Sequence, residues 1–202
     1  MPYNLTTLEN GCRELGIELS QKQKNQFIQF YEFLVEKNKV MNLTAITDFD
    51  EVLEKHFEDS LSLIQAVDLE KSQTVIDLGT GAGFPGIPLK IAFPNLQITL
   101  ADSLNKRILF LDDVIHELGL TGIDTVHGRA EDLAKNSDYR EKFDLCVSRA
   151  VANLSTLSEY CLPFVKIGGK FISYKAGECD EEVAASKSSV FLLGGKISDI
   201  EF

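Results

Sequence analysis

The 202-residue chain lacks any run of about eighteen apolar residues, the length a membrane span needs. Its start, MPYNLTTLENG, has neither a basic n-region nor an apolar h-region, so it does not read as a signal peptide, and a cytoplasmic protein is expected. Cysteine is scarce. Cys12, Cys146, Cys161 and Cys179 are scattered with no C-x-x-C pair, which argues against a zinc site and a disulfide framework. No metal is therefore expected, and Cys146, inside an apparent strand, reads as core. Positive charge is also short: 20 Lys and Arg against 31 Asp and Glu leave a net charge of −11, which does not suggest a nucleic-acid binder. The shortage is uneven, with 6 basic and 13 acidic side chains in residues 1–70 and 14 and 18 in residues 71–202. Any nucleic-acid contact must then use a local patch, on a substrate presented by a structured partner. There is no repeat, no low-complexity tract and no obvious linker before Thr74. An apolar share of 44% fills a proper core, and the length suits one α/β domain with a modest extension.

What is present concentrates in residues 75–86, VIDLGTGAGFPG. The stretch predicts a buried strand over 74–77, a turn carrying Gly79, Gly81, Gly83 and Gly86, and a helix starting near Pro85. Glycines at alternate positions let the backbone turn sharply and approach a ligand closely. Pro suits a first helical turn. Strand, glycine turn and helix N-terminus together form the nucleotide-binding end of a doubly wound sheet. Gly81 to Gly86 matches the dinucleotide pattern G-x-G-x-x-G, with Asp102 lying 25 residues beyond Asp77 as a ribose-binding acid. Yet Asp77 stands two residues before the first glycine, where a carboxylate disfavours a pyrophosphate and favours a cation. The spacing acid-x-Gly-x-Gly-x-Gly resembles the first motif of the Rossmann-like S-adenosylmethionine-dependent methyltransferases, whose donor carries a sulfonium and an amino group. A nicotinamide-dependent reductase would need a pair such as Tyr-x-x-x-Lys; Tyr139 and Lys142 have the wrong spacing, and Tyr174 and Lys175 are adjacent.

Upstream, residues 5–15 read as a helix closed by Gly16. Ser20 to Gln23 has capping-box form and opens a helix with Phe27, Phe30, Tyr31, Leu34 and Val35 on one stripe. At spacings of three and four these aromatics read as core, with a base-stacking platform as the alternative. Residues 39–46 form a loop too apolar for a solvated connector. Asp48 or Asp50 then begins a third helix carrying Leu53, His56, Phe57, Leu61 and Ile64. His56 and Asp59 share one face, and Asn42 is polar within the apolar loop. Either His56 is a satisfied, half-buried histidine tying loop to helix, or Asn42 and His56 line the active-site wall.

From Thr74 onward strands and helices alternate, the pattern of a parallel sheet. Strands are predicted over 74–77, 97–101, 124–127, 143–148, 170–174 and 196–202, with helices over 104–118, 153–162 and near 181–189. Ligands in such sheets sit beyond the carboxyl ends of the strands. Here those ends carry Asp77, Asp102, Arg129 with Glu131, Arg149 and Lys175, all charged. Asp102 suits the two ribose hydroxyls or an N-cap for the following helix, with Ser103 beside it. Ala130 and Glu131 suit the adenine edge. Arg149 offers a fork of donors to a base carbonyl, to phosphate or to the donor's carboxylate. Arg129 and Lys175 are candidates for RNA phosphate or for simple surface ion pairs. No N-P-P-Y-like run follows the fourth strand, as exocyclic-amine methylation would want, and no cysteine stands there to attack a pyrimidine.

LGTGAGFPGIPL, DSLNKR, GRAEDL, VSRAVANL, the lysine of SYKAG, the upstream NLTAI and the His56–Asp59–Ser60 stretch together resemble the ribosomal small-subunit methyltransferase G family, over nearly the whole chain. That resemblance implies a Rossmann-like methyltransferase core over 71–202 with a helical extension over 1–70 that helps to close the site. It implies S-adenosylmethionine as cofactor and methylation of N7 of one guanosine in the decoding region of 16S rRNA. Donor contacts are implied at Gly79, Phe84, Asp102, Ala130, Glu131 and Arg149, beside Asp77, Gly81, Gly83 and Ser103 of the candidate set. Guanine N7 already has an in-plane lone pair, so alignment and not proton removal is expected to carry catalysis. Members continue past the position of Phe202 with a further strand and a basic tail, so a shortened chain is expected. The small ribosomal subunit or an assembly intermediate is the expected partner, and a monomer the expected state. The alternatives are an assembly factor that holds donor and RNA without turnover, and a small-molecule methyltransferase with the N-terminal helices as its lid.

Overall fold

A computed structural model describes residues 3–71, 73–149, 152–175, 177, 179–198 and 200. The apolar runs downstream of residue 73 form β1 (Thr74–Leu78), β2 (Gln97–Asp102), β3 (Ile123–His127), β4 (Phe143–Arg149) and β5 (Val165–Tyr174). They pair in parallel in the order β3-β2-β1-β4-β5. Strands covered on both faces read as continuous apolar runs, which is why β1 and β4 lack a polar alternation. The order reverses between β1 and β4, and the glycine turn leaves the sheet at that switch point.

The helices are α1 (Thr6–Glu14), α2 (Gln21–Met41), α3 (Phe49–Val52), α4 (Asp59–Leu61), α5 (Gly86–Ala92), α6 (Asn105–Glu117), α7 (Ala130–Leu133), α8 (Leu154–Cys161) and α9 (Asp180–Leu192). The predicted capping box is present at α2: Ser20 Oγ accepts from Gln23 N–H while Gln23 Oε1 accepts from Ser20 N–H at 2.8 Å. Asp48 caps α3 by accepting from the Glu51 N–H. Between α3 and α4 the chain widens into a π-helical segment, Leu53–Glu58, where sequence spacing suggests an unbroken α-helix. Such segments concentrate at functional sites.

Two cores flank the sheet. One joins Phe27, Phe30, Leu34 and Phe57 of the extension to Phe84, Ile87, Leu100 and Leu111. The other holds Ile76, Cys146, Leu157, Cys161 and Phe164. The α2 aromatics are thus core, as their spacing indicates, and not a stacking platform. Cys146 is likewise core, with its thiol pushed up by burial.

Two strands differ from expectation. β5 begins at Val165, not residue 170, because Gly168 (φ +85°) makes a bulge that interrupts the alternation yet lets pairing with β4 continue. The strand expected over 196–202 is absent from residues 196–198 and 200, and positions 199, 201 and 202 lie outside the described residues. Ile197 and Ile200 are three positions apart and give no strand alternation of their own; a strand exists only through a hydrogen-bonded neighbour, and none pairs with them among the described residues. No helix among the described residues is long and apolar enough to cross a membrane.

Candidate active site

The glycine turn is built as its residues require. Gly79, Gly81 and Gly83 have φ of 73°, 61° and 95°, a region that side chains avoid. A Cβ at Gly86 would lie 2.2 Å from Leu100 Cδ2 and 2.9 Å from Asp77 Oδ2, so only glycine lets α5 start this close to the sheet. The turn is stitched to the end of β2, with Gly79 and Thr80 N–H donating to Ala101 O and Gly81 N–H to Asp102 Oδ2 at 3.0 Å. A Cβ at Gly81 would meet only Gly79 O, at 3.9 Å, so its outer side is open.

Asp77 lies beneath the turn, where the charge argument expects it facing a ligand. It is fully buried, and its Oδ2 accepts from Thr80 Oγ1 at 2.7 Å and Gly86 N–H at 2.8 Å. Burial pushes the carboxyl up to about 6, against the pull of those two donors and Arg149. Its Oδ1 is buried without a partner among the described residues. Asp102 is also enclosed. Its Oδ1 accepts from Leu104 N–H at 2.9 Å, and Oδ2 accepts from Arg107 Nη1 at 3.1 Å beside the Gly81 bond. Asp102 is therefore not the N-cap weighed for it: Leu104 holds that position without a side-chain cap, and the Asp102 carboxylate braces the turn leading into the helix. Arg107 was missed by sequence reasoning. It stands in DSLNKR five residues after Asp102, and only the turn into α6 brings its guanidinium back.

Phe84 also sits deeper than a ligand contact requires, only 6% exposed. Its ring packs on Phe30 at 5.3 Å and on His56 at 4.5 Å, with the Arg149 guanidinium carbon 4.9 Å from its centroid. Arg149, at the end of β4, donates through Nη1 to Asp59 Oδ2 at 2.7 Å and to Lys55 O at 3.3 Å. The π-helical segment and α4 supply both partners. His56, on the same segment, has Nε2 2.9 Å from Thr44 Oγ1 and Nδ1 3.1 Å from Lys55 O. Burial and the Arg149 charge hold the ring's pKa below its ordinary value. The structural reading of His56, a tie between loop and helix, is thus what its two bonds show, with the ring packed on Phe84.

The remaining candidates are dispersed. Asn42 is the left-handed end of α2 (φ 50°) and exposed. Ser103, Arg129 and Glu131 are exposed and Ala130 half-buried at the ends of β2 and β3. Lys175 is bonded to Ala152 O and Glu182 Oε1, each at 2.8 Å, the ion-pair alternative for that residue. Ala150, of the SRA stretch, lies outside the described residues. No group of acidic, histidine or cysteine side chains suited to a metal ion occurs among the described residues.

A model of the rRNA small subunit methyltransferase G family matches residues 23–202. Over 194 residues the chain is 53% identical to the Ribosomal RNA small subunit methyltransferase G of Lachnoclostridium phytofermentans, covering 96% of this chain and 80% of that protein. The counterpart from Alkaliphilus metalliredigens is 52% identical over 190 residues, with coverages of 94% and 80%. Solved structures share the fold at low identity. A precorrin-6y C5,15-methyltransferase from Geobacter metallireducens has a TM-score of 0.52 at 13% identity, over 67% of this chain and 69% of its own. A SAM-dependent O-methyltransferase from Thermotoga maritima has a TM-score of 0.51 at 15% identity, over 79% and 55%.

Proposed function

The chain belongs to the rRNA small subunit methyltransferase G family, and on that premise we propose how its residues divide the work. It is an S-adenosylmethionine-dependent rRNA methyltransferase. Its acceptor is N7 of one guanosine in the decoding region of 16S rRNA, presented in the small ribosomal subunit or an assembly intermediate to a monomeric enzyme.

The turn fits the donor. It offers an open glycine surface at Gly81, the Asp102 carboxylate at the end of β2, and in Asp77 Oδ1 a buried carboxylate oxygen without a partner among the described residues. When bound, the donor supplies an electrophilic methyl group on a sulfonium. Gly79, Gly81, Gly83, Asp102, Ser103, Ala130 and Glu131 would hold it; Asp77 and Phe84 act from behind, one bracing the turn and the other backing Arg149. Arg149 orients the acceptor base through its fork of donors, and Asn42 and His56 belong to the wall on the extension side. Arg129 is exposed for phosphate contact.

The observation that carries this reading is that both ring nitrogens of His56 are already bonded, to Thr44 and Lys55. That imidazole is thus not aimed at a substrate proton, as suits an acceptor atom that has none to lose. The side chains need only align and exclude water, and alignment alone supplies several kcal/mol, up to about 10.

The test uses small subunits from cells lacking this methylation, donor with a labelled methyl, and strand cleavage at N7-methylguanine. One labelled guanosine is expected with the wild-type protein. Arg149→Lys keeps the charge but loses the planar fork, and transfer is expected to fall about 100-fold with the fold intact. Label elsewhere than N7, or an Arg149→Lys enzyme as fast as wild type, would overturn the assignment.

A further inference from the structure

We propose that Thr44 is a positioning residue for methyl transfer: its hydroxyl donates to His56 Nε2 and locks the ring as the neutral Nδ1–H tautomer against Phe84 and Arg149. The assignment follows from which groups can donate. Lys55 O only accepts, so the Nδ1 lying 3.1 Å from it carries the ring's hydrogen. In a neutral imidazole Nε2 is then an acceptor. Thr44 Oγ1, 2.9 Å away, already accepts from Ile46 N–H at 3.1 Å and has one hydrogen left to give. Protonation at Nε2 would turn that nitrogen into a donor, displace the hydroxyl's hydrogen and set a second cation beside Arg149.

The aim of the hydroxyl is held by Asn38, one turn before the end of α2. Asn38 Oδ1 accepts from the N–H groups of Leu43 and Thr44 at 2.6 and 2.9 Å, and Nδ2 donates to Thr44 O at 2.9 Å. Thr44 is thus pinned through both its N–H and its carbonyl. The charged groups acting on the ring are Arg149 from β4 and Asp59 from α4. The Lys55 ammonium is paired with Glu51 at 2.5 Å, while Phe84 and the 42–46 loop bring no charge. A neutral ring adds no second cation beside the Arg149 fork, where a cationic donor must be tolerated. The role in transfer rests on the placement of Arg149 argued above; the tautomer does not.

Ring-nitrogen NMR on histidine-labelled protein reads the tautomer directly, with His56→Asn identifying its signal among the three histidines. Wild type is expected to show protonated Nδ1 and bare Nε2 near neutral pH. Thr44→Val removes the donor, so the His56 midpoint rises by about half to one pH unit. The acid limb of the methyl-transfer pH profile moves upward by the same amount. Thr44→Ser keeps the hydroxyl and restores both. A protonated Nε2 in the wild type overturns the proposal without any variant having to fold. So does a Thr44→Val protein whose transfer falls equally at all pH values, or whose His56 midpoint moves while the acid limb stays. Absence of transfer by wild type on ribosomal subunits would strike the reading of the reaction and leave the ring spectrum untouched.

Discussion

Asp77 does most of its work as a buried brace, and that gives it a pH signature. The folded carboxyl titrates at about 6 against 3.8 in the unfolded chain. The native state therefore holds this proton more tightly, so its stabilising effect is complete below about pH 4 and is lost as pH rises through 6. At about 1.4 kcal/mol per unit the window spans about 3 kcal/mol. Asp77→Asn should flatten the slope of urea-unfolding stability between pH 4 and 6, and an unchanged slope would show that another group carries it. The presence of the acid, and its placement against a phosphate, was legible from the motif. Its inward direction was not, because that depends on Gly86 N–H arriving 2.8 Å away when α5 packs onto β1. Phe84 repeats the lesson: the sequence marks it as special, but its burial comes from Phe30, Phe57 and His56 of the extension packing on it.

Among the elements, α2 acts as a clip on the ends of two core helices. Gln23 Nε2 donates to Ile91 O and Ala92 O at 2.8 and 2.9 Å, and Gln26 Nε2 to Leu118 O at 2.8 Å. These carbonyls end α5 and α6, where helix geometry leaves acceptors without intrahelical donors. Gln26 is buried, so Gln26→Leu should leave the Leu118 carbonyl dry and unpaired, costing about 1–3 kcal/mol. A chain of this size should then melt several degrees lower, roughly 2–4 °C per kcal/mol, in a calorimetric scan. A melting point equal to wild type would show that water replaces the amide. The helix itself and its cap were readable from Ser20, Gln23 and the apolar stripe, since both signals are local. The π-helical widening was not, because one extra residue per turn leaves the apolar spacing of residues 53–64 almost unchanged.

For the molecule as a whole, the extension is a structural part of the core and not a detachable lid. Phe27, Phe30, Leu34 and Phe57 have no exposed surface, and they share one cluster with Phe84 and Ile87. Tyr174, the last residue of β5, donates to Ser60 O at 2.8 Å, and Lys170 to Ala66 O at 3.1 Å, tying the sheet's edge to the same segment. A chain beginning at residue 71 should therefore show no cooperative thermal transition and should bind an apolar dye, whereas the whole chain unfolds cooperatively. A stable, cooperatively melting fragment would show that the division at residue 70 is also a folding boundary.

What the sequence determined by itself lies within a few residues of a signal. The glycine turn, the capping box, the alternation of strands and helices and the charged strand ends all depend on steric and hydrogen-bonding rules that act over a turn or a pleat. The tertiary structure decided which of those groups face outward and which are consumed inside. Arg149 meets Asp59 across 90 positions, Gln26 meets Leu118 across 92, and Tyr174 meets Ser60 across 114. No local pattern encodes such partners. They follow from the extension packing onto one face of the sheet, which closes loops whose ends are brought together only by burying the shared apolar core.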